Sequence, residues 1–290
     1  MSGCKLDEAV GTAAAEIGSR ALPRPDAFLF LGTGIGMLPA KLSRAARVQL
    51  GRIGGVPKPW RDAVLHVGFL GETPVWILED APGAPEFGGN EMSGEAPWVR
   101  AFPCWLAAAA GAPVCVHTSA GLALESRANP VAPLSLALVT DHINLSGRTP
   151  LLGLGDSKLG PLFPDQSRLH LASLRHSALA RGRKLGVPVV EAIAACTPFP
   201  ALETPAERGY WARAGADIAV QGLAQPLLAC AHSGLAVLAI VCITDSGEGI
   251  DDVGSLVRNA DKLAPALEDL VASLAPDLAK AANELGVEEA

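Results

Sequence analysis

Residues 28–42 read FLFLGTGIGMLPAKL. An apolar run stops at Gly32, Gly34 and Gly36, three glycines in five residues. A short apolar run closed by glycine fits a buried strand. Glycine at a strand end lets the backbone approach a ligand closely. A helix is expected next, and the free N–H groups at its start favour an anion, with phosphate the first candidate. Two familiar phosphate motifs are excluded. The third glycine comes too early for G-x-G-x-x-G, and no lysine stands where G-x-x-x-x-G-K-[ST] requires it. A tight structural turn is the competing account.

The same pattern recurs outward from this segment. AFLFLG (27–32), PVWILE (74–79), PVCVHTSAG (113–121), LSLALVTDHINL (134–145), PVVEAIAAC (188–196), DIAVQG (217–222) and LAVLAIVCITD (235–245) are apolar runs bounded by Gly, Pro or Asp. Such runs predict buried strands. WVRAFPCWLAAAAGA and TPAERGYWARAGA read as helices between them, and 252–285 carries Leu263, Leu267, Leu270 and Leu274 at helical spacing. Helices alternating with buried strands predict an α/β sheet covered on both faces. No repeat or low-complexity linker divides the chain, so 1–290 is read as one domain, with loop-rich stretches at 80–97 and 146–167.

Composition narrows the partners. The chain has 290 residues, 49% of them apolar but only 4% aromatic, so an aliphatic, alanine-rich core is expected. A formal net charge of −7 disfavours nucleic acid, whose phosphates require a basic face. Cys4, Cys104, Cys115, Cys196, Cys230 and Cys242 form no C-x-x-C pair. They read as buried thiols in a reducing compartment rather than zinc ligands. The opening MSGCKLDEAVG lacks an apolar signal core, and the apolar stretch 222–243 is interrupted by Gln225, Pro226, His232, Ser233 and Gly234. A cytoplasmic protein with no membrane partner is expected.

Taken in order, FLFLGTGIG, FPCWLAAAAGAPVCVHTSAGLAL, LALVTDHINLSGRTPLLG, LFPDQS, LETPAERGYWARAGADIAVQG and HSGLAVLAIVCITD resemble the trimeric purine nucleoside phosphorylases and their methylthioadenosine-cleaving relatives. The resemblance covers roughly 25–275, and TDHINL, ETPAE and the following GAD are its most specific parts. It implies a twisted mixed sheet, partly closed as a barrel and surrounded by helices. It also implies cleavage of a purine nucleoside by phosphate, giving free base and (deoxy)ribose 1-phosphate, in a homotrimer that needs no metal or other cofactor. Such a reaction must stabilise a leaving purine anion near N7 and hold a nucleophile below the sugar.

The resemblance assigns roles residue by residue. Glu203 matches the glutamate that binds the N1 edge of the purine, with Leu202 before it; as sequence alone, it equally reads as part of a helix start with Thr204, Pro205 and Glu207. Thr244 and Asp245 match a Thr-Asn pair that reaches N7 and the 6-substituent. With Asp in place of Asn, a protonated carboxyl could donate to N7 as a general acid, whereas an ionised one would accept from a 6-amino group and favour adenine-type bases. A strand-end Asp that caps the next turn is the plain alternative. Thr33 replaces a phosphate-binding serine of the glycine loop. Ser119, Ala120 and Gly121 match the segment that stacks on the base. Asp141, His142 and Asn144 read as structural ties at a strand end.

The pattern breaks at the phosphate site. The family's G-R-x-H loop falls within 79–99, which has no Arg, Lys or His and five carboxylates: Glu79, Asp80, Glu86, Glu91 and Glu95. Gln221 and Gly222 replace a ribose-packing Met and a phosphate-binding Ser, and Val253 stands where the family has a His at the ribose 5′ end. Each lost charge-assisted bond removes roughly 1.5–3 kcal/mol, so losing Arg, His and Ser together would weaken phosphate binding by more than about a thousandfold. Arg148, Lys158, Arg168 or a neighbouring subunit are candidate replacements. A nucleoside hydrolase and a non-catalytic purine-binding relative therefore stand beside the phosphorylase reading.

Overall fold

Seven apolar runs become seven strands, and two more strands join them in one sheet. In chain order these are β1 (Ala27–Leu31), β2 (Ser43–Gln49), β3 (Val64–Leu70), β4 (Thr73–Glu79), β5 (Val114–Ala123), β6 (Leu136–Asn144), β7 (Val189–Thr197), β8 (Ile218–Gln221) and β9 (Ala236–Asp245). The structure, a computed structural model, describes residues 4–32, 36–80, 95–126, 129–198, 201–245 and 253–288.

The strand order is β2-β3-β4-β1-β5-β8-β7-β6-β9, and β9 also pairs with β5. That extra pairing closes β5, β8, β7, β6 and β9 into a barrel, while β1 to β4 extend from β5 as an open wing. The barrel is mixed: β5–β9, β6–β7 and β7–β8 are parallel, and β5–β8 and β6–β9 are antiparallel. The twisted, partly closed mixed sheet is the one expected.

Helices cover both faces, as buried strands demand. One core layer packs α1 (Lys5–Gly18), α2 (Phe102–Ala109) and α5 (Ala224–His232) against Phe28, Phe30, Cys115 and Val237. The other sets α3 (Ala172–Leu185), α6 (Val253–Ser273) and α7 (Ala275–Glu288) against Leu29, Leu31, Val116 and Leu238. Alternate residues of β1 thus feed opposite cores, the period-two rule of a strand. The remaining helix, α4 (Pro205–Arg213), rests Trp211 on Leu122, Ala195 and Ala219 at the barrel's end. The first layer is less aliphatic than composition suggested, because Trp60 and Trp105 are wholly buried in it. Five of the six cysteines are buried thiols, and Cys4 is half-buried. Among the described residues no helix is long and apolar enough to cross a membrane.

One expectation needs correction. No α-helix follows the glycine segment among the described residues. A four-residue 3-10 turn, Leu38–Lys41, leads directly into β2. The Ser43–Gln49 edge strand begins two residues after Lys41 and leaves no room for a second helical turn. An aligned helix dipole therefore cannot be the source of anion affinity there.

Candidate functional site

Glu203 is placed by the chain on either side of it. Thr204 caps α4 through a full capping box: its hydroxyl accepts from the Glu207 N–H, and the Thr204 N–H donates to Glu207 Oε2 at 2.7 Å. This fixes the entry into the helix and turns the preceding residue inward. Glu203 is 7% exposed, and its Oε1 accepts from the hydroxyl of Thr197, at the end of β7, at 2.5 Å. Its other oxygen, Oε2, is buried and has no hydrogen-bond partner among the described residues. A buried carboxylate oxygen left without a donor is costly unless a ligand supplies one. Glu203 thus keeps an unused buried acceptor, which a helix start alone does not require.

The neighbouring strands carry the other predicted residues to the same end of the barrel. Thr197 pairs with Gln221, and Val220 pairs with Gly121. At about 4.8 Å per strand, Thr197 and Gly121 are roughly 10 Å apart. Gln221 donates to the Ala201 carbonyl at 2.7 Å and so ties the end of β8 to the Ala201–Leu202–Glu203 segment. Gly222 turns away with φ +75°, a conformation that favours glycine. Gly121 lies so close to β8 that a Cβ would stand 2.7 Å from the Ala219 carbonyl oxygen. The Thr244 hydroxyl donates to the Gly121 carbonyl at 3.1 Å, and Asn259 of α6 donates to the Thr244 carbonyl at 2.9 Å. Asp245 follows, half-buried and paired with Leu122. Ser119 and Ala120 are half-buried on β5, and Leu202 is exposed.

The glycine segment meets this cluster at β5. Gly32 donates its N–H to the Thr118 carbonyl, and an added Cβ would lie 2.3 Å from that same oxygen. Gly32 therefore packs directly on the residue just before Ser119. Beyond it, the Met37 N–H donates to Glu268 Oε1 at 3.0 Å, which anchors the turn to α6. Thr33, the loop 81–94 and the side chain of Val253 lie outside the described residues.

Charge at the wing's end was not read from the sequence. Asp80 follows β4 and pairs with Arg100 Nη2 at 2.9 Å, and His117 Nε2 of β5 lies 3.7 Å from its other oxygen. Burial pushes the Asp80 carboxyl up, but the Arg100 charge and the His117 contact outweigh it and hold the carboxyl below its ordinary value. Arg100 stands one residue past the stretch that lacks cations, and His117 sits in what reads as an apolar strand. Their signal is spatial, because β1 carries Leu31 and Phe30 between the two strand ends. Of the proposed cation donors, Arg168 lies at the other end of β9, where Leu169 and Leu171 bond to Val237. Val237 precedes Asp245 by eight residues, roughly 25 Å of strand. Lys158 is held near Asp7 of α1, and Arg148 bonds through its carbonyl to Asn144. None of the three is brought to the glycine bend by these contacts. Asn144 is the strand-end tie expected, accepting from the Ser146 hydroxyl at 2.7 Å.

Comparison with known proteins agrees with this architecture. Purine nucleoside phosphorylase 1 of Geobacillus stearothermophilus is 29% identical over 229 residues, covering 79% of this chain and 81% of the relative. Purine nucleoside phosphorylase 1 of Bacillus subtilis (strain 168) is 26% identical over 250 residues, covering 85% and 89%. The crystal structure of isoform 2 of purine nucleoside phosphorylase from Schistosoma mansoni, in complex with cytosine and ribose-1-phosphate, superposes with a TM-score of 0.82 at 20% identity over 92% of this chain and 95% of that one. It shows the shared fold. The family model described as the phosphorylase superfamily matches residues 54–276. With most of its length matched by that model, and with the barrel and wing in place, the chain belongs to the phosphorylase superfamily of enzymes.

Proposed function

We propose that this protein is a purine nucleoside phosphorylase. It cleaves the N-glycosidic bond of purine (deoxy)ribonucleosides with phosphate, releasing the free base and (deoxy)ribose 1-phosphate. The observation that carries the proposal is the Glu203 oxygen, buried and without a donor among the described residues, at the same end of the barrel as Gly121 and Thr244. The bacterial relatives bear the same activity in their names.

In this scheme the base lies across Ser119 and Ala120, with Glu203 facing its N1 edge and Asp245 facing N7 and the 6-substituent. The C1′–N9 bond breaks, and the electron pair leaves with the purine. A phosphate oxygen then bonds C1′. A proton or hydrogen bond delivered at N7 lowers the energy of the departing anion. The two carboxyls divide base specificity between them. A 6-oxo purine offers N1–H to an ionised Glu203 and needs a donor from Asp245. A 6-amino purine offers its amino group to an ionised Asp245 and needs a donor from Glu203. The aspartate, where the family carries asparagine, favours the 6-amino class; Glu203 then carries the proton that it donates to N1, and N7 takes its proton from water. Phosphate enters beside the glycine bend, and the protein works as a homotrimer in the cytoplasm, with no metal or organic cofactor in the reaction.

A second reading rests on Asp80. Arg100, the cation found at the wing's end, already faces a carboxylate, with His117 beside it. That arrangement favours water over a phosphate dianion as nucleophile. One assay separates the two: adenosine, inosine and methylthioadenosine are each incubated with and without phosphate, and free base is followed. Phosphate-dependent release is expected. Equal release without phosphate identifies a hydrolase, and no release with any substrate overturns both.

A further inference from the structure

Away from the proposed base site, Asp141 and His142 on β6 meet His170 from the segment before α3. We propose that these three side chains form a binding site for a divalent transition-metal ion of the zinc type. His142 Nδ1 and His170 Nε2 are 3.1 Å apart, and one ligand atom from each of the three residues lies within 4.8 Å of the others. Zinc–nitrogen bonds of about 2.1 Å place two nitrogens on one ion about 3.0–3.4 Å apart. The two rings therefore stand at ligand spacing already, and the carboxylate completes a two-imidazole, one-carboxylate set. That set suits Zn²⁺, Co²⁺ or Ni²⁺ rather than Mg²⁺ or Ca²⁺, which take mostly oxygen ligands.

The backbone is built to hold this convergence. Consecutive strand residues ordinarily point to opposite faces, but the β6–β7 register shifts between Val139 and Asp141. Such an irregularity re-aims a side chain. The His142 N–H donates to Asp141 Oδ1 at 2.8 Å, and Gln166 hydrogen-bonds the His142 ring. On the other side, Arg175 donates to the His170 carbonyl at 2.6 Å, and Leu169 and Leu171 bond to Val237. The Arg175 charge is matched by Glu191 at 3.0 Å, so it does not oppose a cation at full strength. Burial keeps both imidazoles below their ordinary range, His170 at about 4, so both are neutral bases at neutral pH. Asp141 and His170 open onto a cavity of about 450 Å³, which gives an ion a path and room for water to fill its remaining positions.

The site is separate from the proposed base site: Asp141 pairs with Ile193, four residues along β7 from Thr197, or roughly 13 Å. An ion there would clamp the 165–171 segment to β6. No metal-ligand spacing marks it in the sequence, because residues 141 and 170 are joined only by folding.

The test uses the full chain after chelator treatment and dialysis. Zn²⁺ titrated by calorimetry, with bound metal counted after equilibrium dialysis, should show one ion per chain and a raised thermal midpoint. His170→Gln and Asp141→Asn should each weaken binding at least about tenfold, while Cys4→Ser leaves it unchanged. Co²⁺ in place of Zn²⁺ should give visible d–d absorption that is lost in His170→Gln. Asp141 is exposed, so Asp141→Asn reports on the site even if His170→Gln fails to fold. Absence of binding to the wild-type chain, or equal binding by wild type and both ligand variants, overturns the assignment.

Discussion

At the scale of single residues, the proposed base site rests on two carboxyls, Glu203 and Asp245. Glu203 has one oxygen fixed by Thr197 and one buried without a donor among the described residues. A hydrogen bond involving a charged group contributes roughly 1.5–3 kcal/mol. Glu203→Ala should accordingly lower kcat/KM for phosphate-dependent base release about 10- to 150-fold, with the far-UV spectrum unchanged. A loss under twofold would place the base elsewhere. Asp245 makes the complementary prediction. Replacing it with Asn keeps the size but exchanges an acceptor for a group that can donate to N7 and O6. The ratio of adenosine to inosine cleavage should fall at least tenfold in Asp245→Asn, about 1.4 kcal/mol of discrimination; an unchanged ratio would remove Asp245 from the base edge.

At the scale of elements, what was legible depended on burial. The seven strands read from the sequence each hold a run of apolar residues that packs into a core and is closed by Gly, Pro or Asp. The missed β2, SRAARVQ, is an edge strand with only Val48 fully buried, so it shows no apolar run. His66 and Gly68 interrupt the apolar run of β3 in the same way. Of the proposed base site, Glu203, Thr244 and Gly121 lie near strand or helix ends and were matched by motif. The Asp80–Arg100–His117 group and the two histidines at 142 and 170 could not, since each arises from pairings distant in sequence. The glycine segment was half legible: the close approach was expected, the helix after it was not found. The approach itself is testable. In Gly32→Ala the new methyl would stand 2.3 Å from the Thr118 carbonyl, backbone against backbone. Neither partner can rotate away, so overpacking of about 1–3 kcal/mol is expected. Thermal unfolding should shift down by several degrees and base release should fall with it. A variant as stable and active as wild type would mean that the bend can lift off β5 without consequence.

At the scale of the whole molecule, charge and exposed apolar surface each predict a bulk property. Asp80 is buried, but Arg100 and His117 outweigh that burial and hold its carboxyl below the ordinary value. The unfolded chain therefore takes up this proton before the folded one does. The pair's stabilisation is complete above about pH 4 and is lost as pH falls through the lower, folded value. In urea titrations from about pH 6 to pH 3, the stability gap between wild type and Asp80→Asn should be widest at the upper end and narrow toward the lower. A gap independent of pH would show that Asp80 is not ionised in the folded protein.

The exposed apolar surface concerns assembly. Leu145, Leu152, Leu162 and Phe163 are 56%, 68%, 44% and 89% exposed, and all lie in the stretch that follows β6. Scattered apolar residues are ordinary on a surface, but four large ones in a single connecting segment are the composition of a protein interface. The trimer proposed above needs such a surface. Light scattering on the purified chain should give three times the 29.7 kDa chain mass. Leu152→Asp with Phe163→Asp should reduce it to one chain mass, because a buried unpaired carboxylate at an interface is strongly unfavourable. A wild-type mass of one chain would end the trimer proposal. A trimer that survives both changes would move the interface to another face of the barrel.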